Sequence, residues 1–242
     1  GLMKQVFFVH VPKTAGMTIR SRFSHNEKFF PNRKDREHKF GVSIPYRFGS
    51  KSFPTDYFSC YLDDENFNNA EIKFTVVRNP FDQLVSYYLH DAHGTGKESG
   101  WANVNNNFGF KSFKEFLCGY CLDRPKRCHV PMLSVSLYSQ LFNEDGECLV
   151  DYAVRFEKLN KGLKAISKMS DSNSKGSFIS NVTGARKGRN YADFYTPELI
   201  DMVEHKMKWE FENLGYNYGG PVDDNGILDI KNLKLDISMG EL

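Results

Sequence analysis

The sequence predicts an α/β chain built on a central, mostly parallel β-sheet flanked by helices. Short β-rich runs stand at residues 4–11, 72–77 and 148–156, and each is followed by a turn and a stretch with apolar residues at helical spacing. Strands that alternate with helices pair in parallel, because each crossover returns the chain to the same end of the sheet. At 242 residues the chain is long enough to bury one sizeable core. The expected organisation is one domain over 1–242, with a core over 4–216 and a C-terminal extension over 217–242.

Residues 4–11 are rich in valine and phenylalanine and break at Pro12; small residues follow, then an apolar-containing stretch over 17–23, giving strand, loop, helix. Residues 24–70 are polar and punctuated by Pro31, Gly41, Pro45, Gly49 and Pro54, which predicts short elements and loops. Ile72–Val77 is the second strand, after which Asn79 supplies an N-cap and Pro80 a first-turn proline. Phe81, Leu84, Val85, Tyr88 and Leu89 then recur at helical spacing, and this helix ends between His90 and Gly94. The glycine- and asparagine-rich stretch 94–110 predicts a surface loop, and 112–120 a short helix. A third strand over 148–156 leads into a helix over Leu159–Met169 and a linker-like stretch over 170–177. Thr196-Pro197 opens the final helix, where Leu199, Val203, Met207 and Phe211 recur every fourth residue until Gly215 stops it. No internal repeat is present.

Lysine and arginine total 32 against 30 aspartates and glutamates, so no global charge implies a nucleic-acid or membrane-surface partner. Locally, residues 25–51 carry seven basic side chains against three acidic ones, and residues 175–189 add Lys175, Arg186, Lys187 and Arg189 with no acid. Such segments suit either an anionic ligand or a solvated surface. No stretch approaches the roughly 18 apolar residues of a membrane span, so the chain as given reads as soluble, while Gly1 leaves room for a removed signal or anchor. Five cysteines (Cys60, Cys118, Cys121, Cys128, Cys148) leave one over in any full pairing, which favours a reducing, cytoplasmic compartment.

Two strings carry chemistry. The first, His10-Val11-Pro12-Lys13-Thr14-Ala15-Gly16-Met17-Thr18, stands between the first strand and the first helix. Backbone N–H groups in such a turn, with a helix dipole behind them, cradle a phosphate. Lys13 adds a full charge, Thr14 and Thr18 add hydroxyls, and Ala15-Gly16 lets an anion approach the main chain. A Walker A loop would place its lysine after the second glycine; here Lys13 precedes the only one. In the second string, residues 76–90, Arg78 leaves a strand end and Ser86 lies roughly two turns into the next helix. A guanidinium and a hydroxyl at the carboxyl edge of a sheet suit a second phosphate or, alone, a capping network. Cys118 and Cys121 have the spacing of a zinc half-site, but adjacent Cys128 and His129 lack the spacer of the other half, so partly buried thiols are expected and no metal.

Together the two strings resemble the PAPS-dependent sulfotransferases, specifically the carbohydrate type and its bacterial relatives, which use 3'-phosphoadenosine 5'-phosphosulfate (PAPS) as donor and release PAP. Val154-Arg155-Phe156-Glu157-Lys158-Leu159 resembles that family's RFE-L segment, and Tyr191-Ala192-Asp193-Phe194-Tyr195 through Gly215-Tyr216 its carboxyl end. The resemblance implies a P-loop-NTPase-like sheet and sulfuryl transfer to an acceptor hydroxyl, expected on a glycan or glycolipid. It places Pro12, Lys13, Thr14, Ala15, Gly16, Met17 and Thr18 around the 5'-phosphosulfate, with Lys13 catalytic, and Arg78 with Ser86 at the 3'-phosphate. Gln83 departs from the arginine many relatives carry. The loop holding Lys187 and Arg189 matches a segment that in relatives covers the donor.

In-line sulfuryl transfer needs positioning and dispersal of charge, and Lys13 would neutralise the bridging oxygen. The acceptor hydroxyl needs a base. His38 ranks first and Glu37 second, since relatives often have a histidine or an acidic residue there; His10 and His90 remain alternatives. Two rivals stand beside this account: a nucleotide kinase or NTPase, which lacks its Walker lysine and acidic metal ligand here, and an inactive nucleotide- or glycan-binding protein, against which Lys13, Arg78 and Ser86 speak.

Overall fold

The structure is a computed structural model that describes residues 4–9, 11, 19, 65–92, 112–121, 138, 141–143, 145–170 and 188–236. Most of the helix expected over 17–23, the loops of 24–64 and the loop of 94–110 lie outside these residues. In chain order the elements are β1 (Val6–Val9), α1 (Glu65–Asn69), β2 (Ile72–Val77), α2 (Pro80–Ala92), α3 (Phe113–Cys121), β3 (Tyr152–Arg155), a 3-10 turn (Phe156–Lys158), α4 (Leu159–Met169), a second 3-10 turn (Tyr191–Phe194), α5 (Pro197–Lys206), α6 (Lys208–Leu214), β4 (Tyr216–Asn217), β5 (Gly220–Pro221) and β6 (Ile227–Asp229). The chain divides into two compact units, one of Gly1–Arg78, Tyr138–Ser180 and Asp223–Leu242, the other of Asn79–Leu137 and Asn181–Val222.

Among the described residues, the first unit holds a four-stranded sheet in the order β1-β2-β3-β6. β1 pairs with β2 and β2 with β3 in parallel, while β6 closes the edge antiparallel to β3. An antiparallel edge strand on a parallel sheet is a common variation of α/β folds. All four residues of β1 are buried, so both sheet faces are covered at that strand. Phe8 packs with Phe74, Val6, Val76, Val154 and the α4 residues Leu163 and Ile166, whereas Phe7, one residue earlier and so on the opposite face, meets Phe67 of α1 edge-to-face at 5.3 Å. The helix α4 lies close to the sheet because Gly162 and Gly226 meet there: a Cβ on Gly162 would collide with the Gly226 carbonyl and stand 2.5 Å from Val154 Cγ1.

The expected strand over 148–156 is realised only over Tyr152–Arg155. Cys148 bridges back to Phe142, and Leu149 N donates to Leu141 O at 2.7 Å, so the residues before β3 close a local turn instead of joining the sheet. Gly146 in that turn has φ +75°, and its carbonyl accepts from Leu235 N at 2.9 Å. The stretch beyond 216, read from sequence as an extension, supplies β6.

In the second unit, α2 follows its Asn79-Pro80 signal, and residues 80–89 are all buried. Phe81 sits among Tyr195, Phe211 and Tyr218 with ring centroids 4.9–5.3 Å away. Phe113 and Phe116 of α3 pack on Tyr88. The expected helix over 197–214 divides into α5 and α6 at Met207, whose φ/ψ of −102°/26° departs from helical values although its N–H still reaches Val203 O at 2.8 Å. Neither proline nor glycine stands at that position to mark the bend in the sequence. Gly215, in the left-handed region at φ 65°, ends α6 as expected and leads into the β4–β5 hairpin.

Candidate functional site

Two parallel registers define the carboxyl edge of the sheet: Val9 stands opposite Thr75, and Val77 opposite Arg155. Val11, two residues past the end of β1, is fully buried. β1 and β2 are neighbouring parallel strands, so their carboxyl ends lie side by side, and β2 leads out through Arg78. The buried Thr75 hydroxyl donates to Val9 O at 2.8 Å and pins the end of β1.

Extending the second register by one residue sets Arg78 beside Phe156, and the Arg78 guanidinium lies over the Phe156 ring at 4.1 Å from its centroid. The main chain of Arg78 is held as tightly. The buried Tyr138 hydroxyl accepts from Arg78 N and donates to Arg78 O, both at 3.0 Å. Arg78 keeps 8% of its surface exposed, a cation fixed on its backbone by one side chain and on its guanidinium by another.

Behind Phe156, Arg155 is wholly buried, with its guanidinium 3.3 Å from Asp223 Oδ2 and its N–H donating to Gly226 O at 3.0 Å. The Asn225 N–H bonded to Asp223, aided by the Arg155 charge, holds that carboxyl below the usual carboxylate range. Asp224 is lowered by hydrogen bonds from Lys158 and Lys161.

In the second unit Asn79 caps α2: its Oδ1 accepts from Phe81 N at 3.1 Å and its carbonyl from Gln83 N at 2.9 Å. Its Nδ2 reaches Tyr191 Oη and Asn217 O, each at 3.4 Å. Ser86 is buried on the α2 face shared with Asp82 and Gln83, four and three residues earlier. Gln83 has no exposed surface. Exposed Arg189 lies 4.3 Å over the Phe194 ring, and a capping box between Asn190 and Asp193 fixes the 3-10 turn that carries this ring. Burial pushes the Tyr88 hydroxyl up, and the Arg189 charge opposes that shift.

Of the residues proposed from sequence, Arg78, Ser86 and Arg189 are described; Pro12, Lys13, Thr14, Ala15, Gly16, Met17, Thr18, Glu37, His38 and Lys187 lie outside the described residues, as does His10. Sequence reading missed Tyr138 and the stacking role of Phe156. In-register extension of the second string and the RFE segment would have found Phe156; Tyr138, 60 residues from its partner, carries no local signal.

The family model described as the sulfotransferase family matches residues 3–217. The chain belongs to the sulfotransferase family. Both candidate anion strings and the RFE segment of this sulfotransferase fall inside the match, whereas Asp223, Gly226 and β6 lie beyond it. No curated protein and no solved structure gives a significant match. Among the described residues no helix is long and apolar enough to cross a membrane, and no three His, Cys, Asp or Glu side chains gather as a metal-binding group.

Proposed function

We propose that this sulfotransferase takes its sulfuryl group from PAPS and passes it to a carbohydrate hydroxyl on a glycan or glycolipid, within a P-loop-NTPase-like sheet. The observation that carries this is the family match over residues 3–217, which spans both anion strings. Further support comes from the strand register, which has the chain leave β1 and β2 side by side, and from the fixed, nearly buried Arg78 cation at that edge. Such a cation suits the dianionic 3'-phosphate of the donor. The carbohydrate acceptor rests on the likeness of these strings to the carbohydrate-type enzymes.

In this scheme Arg78 and Ser86 hold the 3'-phosphate, and the backbone N–H groups of Ala15, Gly16 and Met17 with the Thr14 and Thr18 hydroxyls hold the 5'-phosphosulfate, in a turn whose entry Pro12 shapes. Arg189 and Lys187 cover the donor. Lys13 neutralises charge on the bridging oxygen as its bond to sulfur breaks, and His38, with Glu37 as alternative, takes the proton from the acceptor hydroxyl as the new oxygen–sulfur bond forms. PAP leaves with the bridging oxygen, and no metal is needed.

The test is PAP release and acceptor sulfation when the protein is given PAPS and a panel of glycans in the presence of a chelator. Transfer that Lys13→Ala lowers by about 100- to 1,000-fold supports the assignment. Magnesium-dependent ATP turnover without transfer from PAPS contradicts it.

A further inference from the structure

We propose that Asp223, beyond the segment matched to the family, is a positioning residue for the donor site that acts through Arg155 and Phe156 on Arg78. The inference rests on the reading of Arg78 as a phosphate-binding residue. Its physical basis is a continuous path within one unit. Asp223 Oδ2 pairs with the guanidinium of Arg155 at 3.3 Å, and Gly226 O accepts from Arg155 N at 3.0 Å, so one turn holds both the side chain and the main chain of the last residue of β3. Phe156 follows directly, and its ring supports the Arg78 guanidinium at 4.1 Å.

The pair has an unequal geometry that matters for its role. Arg155 is wholly buried while the Asp223 side chain is 38% exposed, so the carboxylate closes the end of a buried cation rather than a surface pair. Removing one partner of a buried charge is costly, and the strain falls first on the local structure that holds it. Arg155 sits at φ −74°, ψ 126°, the junction between strand and 3-10 turn, so a shift there re-aims Phe156 first. The same turn is pressed onto α4 by the Gly162–Gly226 contact and by Lys158 and Lys161 pairing with Asp224 at 2.6 and 3.1 Å, which makes it a rigid support. Outer residues that orient a binding group by this kind of packing and hydrogen bonding govern ligand affinity without touching the ligand.

The experiment is a double-mutant cycle on the full chain, with PAP affinity measured by titration calorimetry, using displacement for weak binders, in wild type, Asp223→Asn, Arg78→Ala and the double variant. Asp223→Asn is expected to weaken PAP binding about three- to tenfold in the wild-type background and to have no further effect once Arg78 is removed. Asp223→Glu, which keeps the charge, should restore most of the affinity. An equal loss in both backgrounds would mean general destabilisation and overturn the proposal, as would unchanged affinity in Asp223→Asn. If Arg78→Ala itself leaves PAP binding intact, the donor-site reading fails instead, and the two failures are told apart.

Discussion

Replacing Tyr138 by phenylalanine removes one oxygen and keeps the ring, so little cavity opens and the effect isolates the hydroxyl. That oxygen is fully buried and makes two bonds of 3.0 Å, accepting from Arg78 N and donating to Arg78 O. Each such bond contributes a net ~1 kcal/mol, and a buried N–H deprived of its partner costs about 1–3 kcal/mol, so the variant should lose about 2–4 kcal/mol. For a chain of this size that corresponds to a fall in melting temperature of about 4–15 °C. Urea unfolding followed by circular dichroism measures it, with an unchanged m-value expected because the exposed surface is the same. PAP affinity should fall as well, since the clamp fixes the main chain of the arginine proposed to bind the 3'-phosphate. A loss below about 0.5 kcal/mol would show that the hydroxyl bridge does not hold this strand end, and the account of Arg78 would be wrong.

Gly162→Ala puts a methyl group against the Gly226 carbonyl and should destabilise the protein by about 1–3 kcal/mol in the same unfolding assay; a neutral substitution would refute the close approach of α4 to the turn before β6. Asp223 and Asp224 have depressed pKa values, so their contribution is fully present above the unfolded value of about 4 and is lost as pH falls through their folded values. Urea midpoints measured from pH 7 down to pH 2 should therefore fall less steeply in a variant with both residues changed to asparagine, and an unaltered slope would contradict the pairing. The Cys148 thiol, pushed up to about 11 by burial, should be alkylated slowly by iodoacetamide at pH 8 in the native protein and at an ordinary rate in urea, as read by peptide mapping; equal rates would contradict its burial.

Local chemistry made much of this fold legible. The Asn79-Pro80 signal and the apolar spacing from Phe81 to Leu89 specify α2, and Gly215 marks the end of α6, because caps and periodicity act over a few residues. Long-range pairing is what sequence pattern does not carry. The segment after 216 returns to the sheet as β6, decided by a strand far along the chain, whereas the run before β3 has strand composition yet folds back on Phe142 in a local turn. The bend at Met207 has no proline or glycine to announce it. Motif spacing singles out Arg78 and Ser86 as candidates, whereas the supports of Arg78 depend on sheet register and on a tyrosine 60 residues away.

The most direct measurement is calorimetric titration of the purified protein with PAP, comparing wild type with Arg78→Ala and using ATP as the control ligand. The account predicts specific PAP binding that Arg78→Ala weakens about 10- to 100-fold, the loss of a charge-assisted contact of about 1.5–3 kcal/mol. Preference for ATP, absence of PAP binding by folded protein, or equal affinity in the variant would contradict it.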